Sequence, residues 1–322
     1  MNKKDIPIFY TVDNNYIPYL SVSIESLIDN TNDKNNYKIF IIHEDLTKDS
    51  IMKIKKLEKN NISIEFINME DIIKPLKEKL NVMVTKTHFP ITVYFRLFIP
   101  TMFDGYDKGI YIDSDTVLNA DIAELYAYDL KDNLFGGIVD KSVLDTPFVH
   151  HYEQYSGISR YKYINSGVLL MNMKKLRDVN FENKFLYILN KYDFEVVDPD
   201  QVYINNLSKD RILYIGEEWN AMPVKGRKGL DNPKLIHYNL FLKPWHYDDV
   251  EYQEYFWKYA KKSAFYDEIK KVLDNYTEED KLNDDRILQN MVKQADRLNK
   301  KEVTFKSVFE SGLETRLDEV SV

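Results

Sequence analysis

The sequence predicts an α/β fold, with a mostly parallel central sheet flanked by helices and a helical appendage at the carboxyl end. Two observations support this prediction. Short apolar segments alternate with amphipathic segments through the amino-terminal part of the chain, and after about Val250 the pattern becomes helical, aromatic and lysine-rich. We therefore expect an α/β domain at 1–250 and a helical extension at 251–322.

The first elements alternate between strands and helices. Three apolar segments predict buried strands, and two segments with apolar residues on one face predict helices between them. In chain order these are strand Ile6–Val12, helix Pro18–Leu27, strand Lys38–Ile42, helix Ser50–Leu57 and strand Ile62–Ile67. Strands that are joined through helices predict parallel pairing, because a parallel pair needs a crossover connection.

Later elements extend the sheet and then leave it. Further strands are predicted at Ile110–Ile112, Phe135–Val139 and Leu235–Tyr238, and helices at Gln201–Asn206, Tyr252–Ala260 and Ala264–Asn275. Two apolar stripes at helical spacing follow, one formed by Ile287, Leu288, Met291, Val292, Ala295 and Leu298, the other by Phe305, Phe309, Leu313 and Leu317. We expect these stripes to cover the core or to pair with a second subunit in a homodimer. A membrane-surface helix would need a basic polar face, and the acidic balance after Lys301 argues against one.

Composition narrows the class of protein. The 322 residues have a formal net charge of −8 and no long basic segment, which argues against nucleic acid as the main partner. No cysteine is present, so disulfides, zinc–thiolate sites and cysteine nucleophiles are excluded. The amino terminus has no apolar run typical of a signal peptide, and no segment has the length of a transmembrane helix. We expect a cytoplasmic protein, with peripheral binding at the inner face of the membrane left open.

Asp113 and Asp115 directly follow a short apolar strand. Residues i and i+2 of a strand point to one side, so these carboxylates repel each other unless a metal ion, a lysine or solvent lies between them. No basic residue is adjacent in sequence, and carboxylate oxygens suit Mg²⁺ or Mn²⁺. Asp13 and Asp140 also follow predicted strands, at the edge where open α/β sheets bind ligands. A second Asp-x-Asp, Asp198-Pro-Asp200, shows that the pattern alone is weak.

Glycine-rich phosphate loops are absent from the sequence, which contains ten glycines. A bound nucleotide would therefore need a metal at its phosphates. His237 is either a hydrogen-bonded core residue or a nitrogen ligand, and nitrogen with two carboxylates favours Mn²⁺. Lys243 is either a surface lysine or a group beside an anion on the metal.

Other polar residues have both structural and functional interpretations. Asn165 and the backbone near Gly167 form either a turn before a core strand or a site for polar ligand groups. Asp200 with Gln201 fits ordinary helix N-terminal chemistry. Arg96 lies in an apolar segment, either snorkelling at a helix edge or directed at the carboxylates.

Six motifs occur in order along the chain: Phe9–Tyr16, Tyr94–Leu97, Tyr111–Asp115, Asn165–Val168, Asp200–Gln201, and His237–Tyr238 with Lys243–Trp245. Together they resemble glycosyltransferase family 8, the glycogenin and bacterial lipopolysaccharide galactosyl- and glucosyltransferase group. The resemblance runs from about Ile6 to Trp245. It implies a GT-A type nucleotide-diphospho-sugar transferase fold and a UDP-hexose donor.

The resemblance also implies a role for each matched residue. The uridine group is Thr11, Asp13, Asn15 and Tyr16, with the tyrosine stacked on the base. The metal group is Asp113, Asp115 and His237, which hold Mn²⁺, or Mg²⁺ as the alternative. Ser114 and Gly167 are counted with the cofactor-binding residues, and Lys243 touches the diphosphate. Arg96, Asp140, Asn165 and Asp200 bind hydroxyls of the donor sugar, and Gln201 lies near the anomeric carbon. One departure is Leu240, which stands where the bacterial galactosyltransferases have a glycine whose backbone reaches a phosphate.

The resemblance implies transfer of galactose or glucose with retention of anomeric configuration, to a glycan, glycolipid or glycoprotein acceptor in a bacterial surface-glycan pathway. Two rivals stay open. Asp113-Ser-Asp-Thr-Val117 also fits the nucleophile loop of a haloacid-dehalogenase-type phosphatase, although no later acidic pair follows an apolar strand. The other rival is a nucleotide-sugar binding protein without turnover.

Overall fold

The structure is a computed structural model that describes residues 3–70, 74, 91–141, 144, 149–192 and 194–317. The chain divides into two compact units. The first consists of Met1–Glu70, Gly109–Asp129 and Gly216–Asp284, and the second of Asp71–Lys108, Leu130–Ile215 and Asp285–Val322. Residues on the carboxyl side of residue 250 contribute to both units. The expected domain boundary at residue 250 stays a prediction.

Six strands lie in the described residues of the first unit. They are β1 (Lys4–Thr11), β2 (Asn35–His43), β3 (Ile62–Asn68), β4 (Gly109–Ile112), β5 (Thr116–Leu118) and β9 (Leu235–His237). Its helices in the described residues are α1 (Ile17–Asn30), α2 (Lys48–Lys55), α4 (Ala123–Tyr126), α9 (Gln253–Ala260), α10 (Tyr266–Asn275) and the first residues of α11 (Glu278–Leu298), with a 3₁₀ turn at Glu217–Trp219.

The main sheet of the first unit is parallel and has the order β3-β2-β1-β4. β1 pairs on both sides, and its residues from Ile6 to Thr11 are buried. A strand in this position is covered on both faces, which explains why its sequence is a continuous apolar segment rather than an alternating one. The predicted strand–helix–strand order and the predicted parallel pairing are confirmed.

Two pairings position the residues that follow the strands. β1 and β4 are parallel neighbours, with Phe9 opposite Tyr111, so their carboxyl ends lie at one edge of the sheet. β5 and β9 form a separate antiparallel pair in which Thr116 is opposite His237. These pairings bring the segment after β1, the segment after β4 and the end of β9 together.

The second unit contains strands β6 (Phe135–Val139), β7 (Ile164–Met171) and β8 (Ile212–Tyr214). Its described helices are α3 (Ile99–Met102), α5 (Val149–His151), α6 (Met173–Asp178), α7 (Phe181–Tyr192), α8 (Gln201–Leu207), α12 (Phe305–Glu310) and the remainder of α11, with a 3₁₀ helix at Ile91–Leu97 and a π turn at Tyr152–Ser156. β6 pairs antiparallel with β7 and parallel with β8. Asn165 lies inside β7, so the polar residues before the buried segment belong to the strand and not to a turn.

The C-terminal helices cover the core of the chain itself. Met291, Ala295 and Leu298 of α11 are buried, as the first stripe predicts. The second stripe is only partly helical, because α12 ends at Glu310, and Leu313 beyond it is 70% exposed. A homodimer through these helices stays a prediction. In the described part of the chain, no helix combines the length and apolar character that a membrane crossing needs.

Candidate functional site

Asp113, Asp115 and His237 form a compact group of potential metal ligands in the first unit. One ligand atom from each lies within 4.8 Å of the others. The His237 Nε2 atom is 3.2 Å from Asp115 Oδ1 and 3.7 Å from Asp113 Oδ2. The exposed fractions of these side chains are 2% for His237, 12% for Asp115 and 25% for Asp113. A mixed nitrogen and oxygen donor set of this size fits a divalent ion such as Mn²⁺.

Backbone hydrogen bonds place His237 beside the two aspartates. The backbone N–H of Tyr238 donates to the Asp115 carbonyl at 2.9 Å, and the N–H of His237 donates to the Ala221 carbonyl at 2.9 Å. The antiparallel β5–β9 ladder therefore fixes a histidine far along the chain beside the Asp-Ser-Asp turn. The three residues that the resemblance implies as metal ligands therefore lie close together, and their role as ligands stays a prediction.

Lys243 also reaches this group, so the surface interpretation of this lysine is wrong. Its side chain is 5% exposed, and its Nζ contacts Asp115 Oδ2 and the Tyr238 carbonyl. Burial alone would raise the pKa of Asp115, but the contacts with Lys243, and after it His237, outweigh burial and hold that pKa below its usual value. Burial alone would lower the pKa of Lys243, but Asp115 raises it, so the pair is ionised.

Two residues that the sequence analysis did not assign contact the metal-ligand group. The Tyr111 hydroxyl donates to Asp113 Oδ1 at 2.6 Å, and Asn220 Oδ1 lies 3.0 Å from His237 Nδ1. Strand alternation could have indicated Tyr111, because it lies two residues before Asp113 and on the same face. Asn220 has no such signal, since only the tertiary fold brings it to His237.

The turn after β1 contains the residues expected to bind uridine. Asp13 Oδ1 accepts the backbone N–H groups of Asn15 and Tyr16, both at 2.9 Å, and so orders the start of α1. The ring of Tyr16 is 37% exposed, as a stacking platform requires. Ser114 Oγ donates to the Thr11 carbonyl at 3.0 Å, which ties the ends of β1 and β4 together. The roles of these residues in binding stay predictions.

A buried amide–carboxylate network lies in the second unit. Gln201 Nε2 and Asn165 Nδ2 donate to Asp140 Oδ2 at 3.0 and 3.1 Å. Gln201 Oε1 accepts the backbone N–H of Ser166 at 2.9 Å and Asn165 Nδ2 at 3.2 Å. Asn165 Oδ1 in turn accepts the backbone N–H of Gly167 at 2.9 Å. The three residues of this network that the resemblance assigns to the donor sugar and its anomeric carbon, Asp140, Asn165 and Gln201, are therefore joined in one hydrogen-bonded cluster.

Arg96 supplies a positive charge to the same unit. It is 6% exposed, so the snorkelling interpretation is wrong. Its Nε lies 3.2 Å from Asp200 Oδ2, and its Nη1 donates to the Ser166 carbonyl at 2.7 Å. The second Asp-x-Asp is thus built differently from the first: Asp200 faces an arginine, and Asp198 accepts the Tyr163 hydroxyl. In the described residues, only the first Asp-x-Asp meets a histidine.

The backbone at Leu240 keeps a conformation that glycine adopts easily. Its φ is +54°, in the left-handed region. Leucine in place of glycine at position 240 therefore changes the side chain, while the backbone there keeps a conformation that glycine also adopts. Whether the Leu240 backbone contacts a phosphate stays a prediction.

Comparison with known proteins identifies relatives. The profile of Glycosyl transferase family 8 matches residues 7–249. A Haemophilus influenzae protein named as a glycosyltransferase is 29% identical over 221 residues, which cover 67% of this chain and 63% of the relative. The lipopolysaccharide 1,2-glucosyltransferase of Escherichia coli is 28% identical over 261 residues, which cover 76% of this chain and 75% of that protein.

Two solved structures share the fold. The bifunctional glycosyltransferase WbbM superposes with a TM-score of 0.71 at 23% identity, over 84% of this chain and 52% of that chain. The galactosyltransferase LgtC, solved with donor and acceptor sugar analogues, gives a TM-score of 0.66 at 23% identity, over 80% of this chain and 96% of that chain. The predicted GT-A fold is confirmed. The chain spans less than two thirds of the Haemophilus relative and about half of WbbM.

Proposed function

The chain belongs to glycosyl transferase family 8 and is a glycosyltransferase, and we propose that it transfers galactose or glucose from a UDP-sugar to a glycan or glycoconjugate, with Mn²⁺ and with retention of anomeric configuration. The convergence of Asp113, Asp115 and His237 is the observation that carries this proposal. Two carboxylates and an imidazole suit Mn²⁺ better than they suit Mg²⁺, because Mg²⁺ prefers oxygen ligands alone. Mg²⁺ is the alternative ion.

The first unit is proposed to hold the nucleotide part of the donor. A divalent ion bound by the three ligands would stabilise the negative charge that develops on the leaving UDP. The Lys243 ammonium, already ionised beside Asp115, supplies a second positive charge for the diphosphate. Tyr16 offers its exposed ring to the base. Hydrogen bonds hold the three proposed ligands and Lys243 in place without substrate, which would lower the reorganisation that the reaction requires.

The second unit is proposed to hold the donor sugar. Asp140, Asn165, Gln201 and the Arg96–Asp200 pair supply buried donors and acceptors of the kind that bind sugar hydroxyls. Their mutual hydrogen bonds support a front-face route. Gln201 Oε1 already accepts two N–H groups and Asp200 is paired with Arg96, so neither is a well-prepared nucleophile. In this route the acceptor oxygen bonds to the anomeric carbon while the bond between that carbon and the UDP phosphate oxygen breaks. The acceptor's hydroxyl proton passes to the leaving phosphate.

The family and the names of the relatives support the proposed donor and acceptor classes. The Escherichia coli relative is named as a glucosyltransferase of lipopolysaccharide, and LgtC as a galactosyltransferase. We extend these names to a proposal of a surface glycan, glycolipid or glycoprotein acceptor for this chain. A cytoplasmic site of action, peripheral to the inner face of the membrane, is part of the same proposal.

The proposal is tested by UDP release from UDP-galactose, UDP-glucose and UDP-N-acetylglucosamine, each with Mn²⁺ and with EDTA. We expect slow hydrolysis of one hexose donor by the wild type, and its loss with EDTA and in Asp115→Ala. Asp274→Ala is the matched control, because Asp274 is 58% exposed and forms only an i,i+4 surface pair.

The rival functions predict other results. Hydrolysis of a phosphomonoester without UDP release would favour the phosphatase. Binding of UDP-sugar in calorimetry, with no release even when oligosaccharide acceptors are added, would favour a binding protein. A covalent glycosyl adduct on Asp200 or a neighbouring side chain would contradict the front-face route and leave the transferase assignment intact.

A further inference from the structure

Each of the three proposed metal ligands has two atoms that could face an ion, and in each ligand one atom is already held by a neighbour. Asp113 Oδ1 is held by Tyr111, His237 Nδ1 by Asn220 and Asp115 Oδ2 by Lys243. The other atom of each ligand points towards the group: Asp115 Oδ1 lies 3.2 Å and Asp113 Oδ2 lies 3.7 Å from His237 Nε2. The neighbours therefore select which atoms converge.

Tyr111 is held firmly enough to perform this selection. It is fully buried, and its hydroxyl has one proton, which goes to Asp113. Thr11 Oγ1, 2.9 Å from the same hydroxyl, must then be the donor of that contact. The result is a directed chain from Thr11 through Tyr111 to Asp113, in which each hydroxyl can point only one way. The hydrogen bond at Asp113 Oδ1 fixes the orientation of this carboxylate, with Oδ2 towards His237.

Asn220 selects the tautomer of His237 in a comparable way. The carboxamide oxygen can only accept, so His237 Nδ1 carries a proton and Nε2 faces the two aspartates. Asn220 is 4% exposed and His237 is 1% exposed, so water does not compete for this contact. Metal-binding histidines in general depend on such a partner for ring orientation and basicity.

We propose that Tyr111 and Asn220 are positioning residues of the metal site, which fix Asp113 and His237 so that each offers one chosen atom to a divalent ion. This inference rests on the proposed function, because it assumes that the Asp113, Asp115 and His237 group binds metal. The site would then offer a divalent ion one atom each from Asp113, Asp115 and His237.

The test is the Mn²⁺ dissociation constant of the whole chain without nucleotide, measured from the electron paramagnetic resonance signal of free Mn²⁺. Tyr111→Phe and Asn220→Ala are each expected to weaken Mn²⁺ binding about 10- to 100-fold. Asn220→Asp is expected to restore it, because a carboxylate oxygen accepts the same Nδ1 proton. A purely structural role for Asn220 would not distinguish the last two variants.

Tyr10→Phe is the matched control, because it removes another buried tyrosine hydroxyl, bonded to Ser23 Oγ at 3.1 Å, that does not touch the ligands. Its Mn²⁺ affinity should equal that of the wild type. Thr11→Val replaces Tyr111→Phe if the latter fails to fold, and should also weaken Mn²⁺ binding. Mn²⁺ affinities of Tyr111→Phe and Asn220→Ala within twofold of the wild type would overturn the inference. A wild type that binds no Mn²⁺ would instead contradict the proposed metal site.

Discussion

At the scale of single residues, buried charges are held by partners of different kinds in the two units. Asp115 has the Lys243 ammonium and the His237 imidazole as neighbours, and Asp200 has Arg96. Asp198 is different: its Oδ2 accepts the Tyr163 hydroxyl, while its buried Oδ1 has no hydrogen-bond partner. Burial, followed by the charge of Asp200, raises the pKa of Asp198 from 3.8 to about 8.

Asp198→Asn is expected to stabilise the protein at high pH only. Between pH 3.8 and about 8 the folded state keeps a proton on Asp198 that the unfolded state loses, so wild-type stability falls as pH rises through this range. Asparagine keeps the acceptor for Tyr163 and cannot ionise. Urea unfolding should show equal stability at pH 4, and an advantage for the variant that grows as pH rises to 8. A difference that does not change with pH would contradict this explanation.

At the scale of elements, the C-terminal segment is attached to α7 through one carboxylate. Glu314, with a 6% exposed side chain, accepts hydrogen bonds from Lys184 at 3.0 Å and Lys191 at 2.5 Å, and from the hydroxyls of Tyr187 and Tyr192. Burial alone would raise the pKa of Glu314, but these donors outweigh it and lower the pKa from 4.5 to about 2. The ionised carboxylate is therefore part of the packing between this segment and α7.

Glu314→Gln is expected to destabilise the protein by about 2 kcal/mol at neutral pH, because it leaves two lysines without their anion. The wild-type contribution is complete above pH 4.5 and is lost as pH falls towards 2, so the two proteins should converge in acid. Thermal unfolding between pH 3 and 7 measures this. Glu302→Gln, at an exposed position outside any helix, should behave as the wild type throughout. Equal stability of Glu314→Gln and wild type at pH 7 would refute the proposed attachment.

At the scale of the whole molecule, the chain combines a family 8 catalytic fold with C-terminal helices that contribute to both units. α9 and α10 belong to the first unit, and most of α11 with α12 to the second. The residues after 250 are thus part of each unit's packing. Truncations near residue 250 would remove buried side chains such as Phe256 and Phe305 from these cores.

UDP with Mn²⁺ is expected to raise the melting temperature of the whole chain, because a ligand that binds only the folded state stabilises it by about 2.7 kcal/mol at 100 times its Kd. EDTA should abolish the shift. Lys243→Met should reduce it, since the variant lacks the ammonium proposed to contact the diphosphate. Lys258→Met, whose side chain is 54% exposed in the wild type, is the control. An undiminished shift in Lys243→Met would contradict the role of that lysine.

The sequence by itself determined most of the element order and the family. Continuous apolar segments predicted β1 and β2 because both faces of these strands are covered, and six ordered motifs indicated the fold. Local patterns such as strand alternation placed Asp113 and Asp115 on one side of a strand end. The second C-terminal stripe was predicted too long, since helical spacing of apolar residues does not reveal that α12 ends before Leu313.

Only the tertiary structure decided which residues meet. The β5–β9 pairing places His237 beside Asp113 and Asp115. The bridge between Ala221 and Ile236 brings Asn220 to His237, and the turn after β9 places Lys243 on Asp115, although no local pattern links these positions. The same holds for Arg96 and Asp200 in the second unit. Propensity and periodicity act over a few residues, whereas these contacts depend on strand register and on burial that excludes water. Chemistry at the site is therefore set by pairing between segments that are distant in sequence.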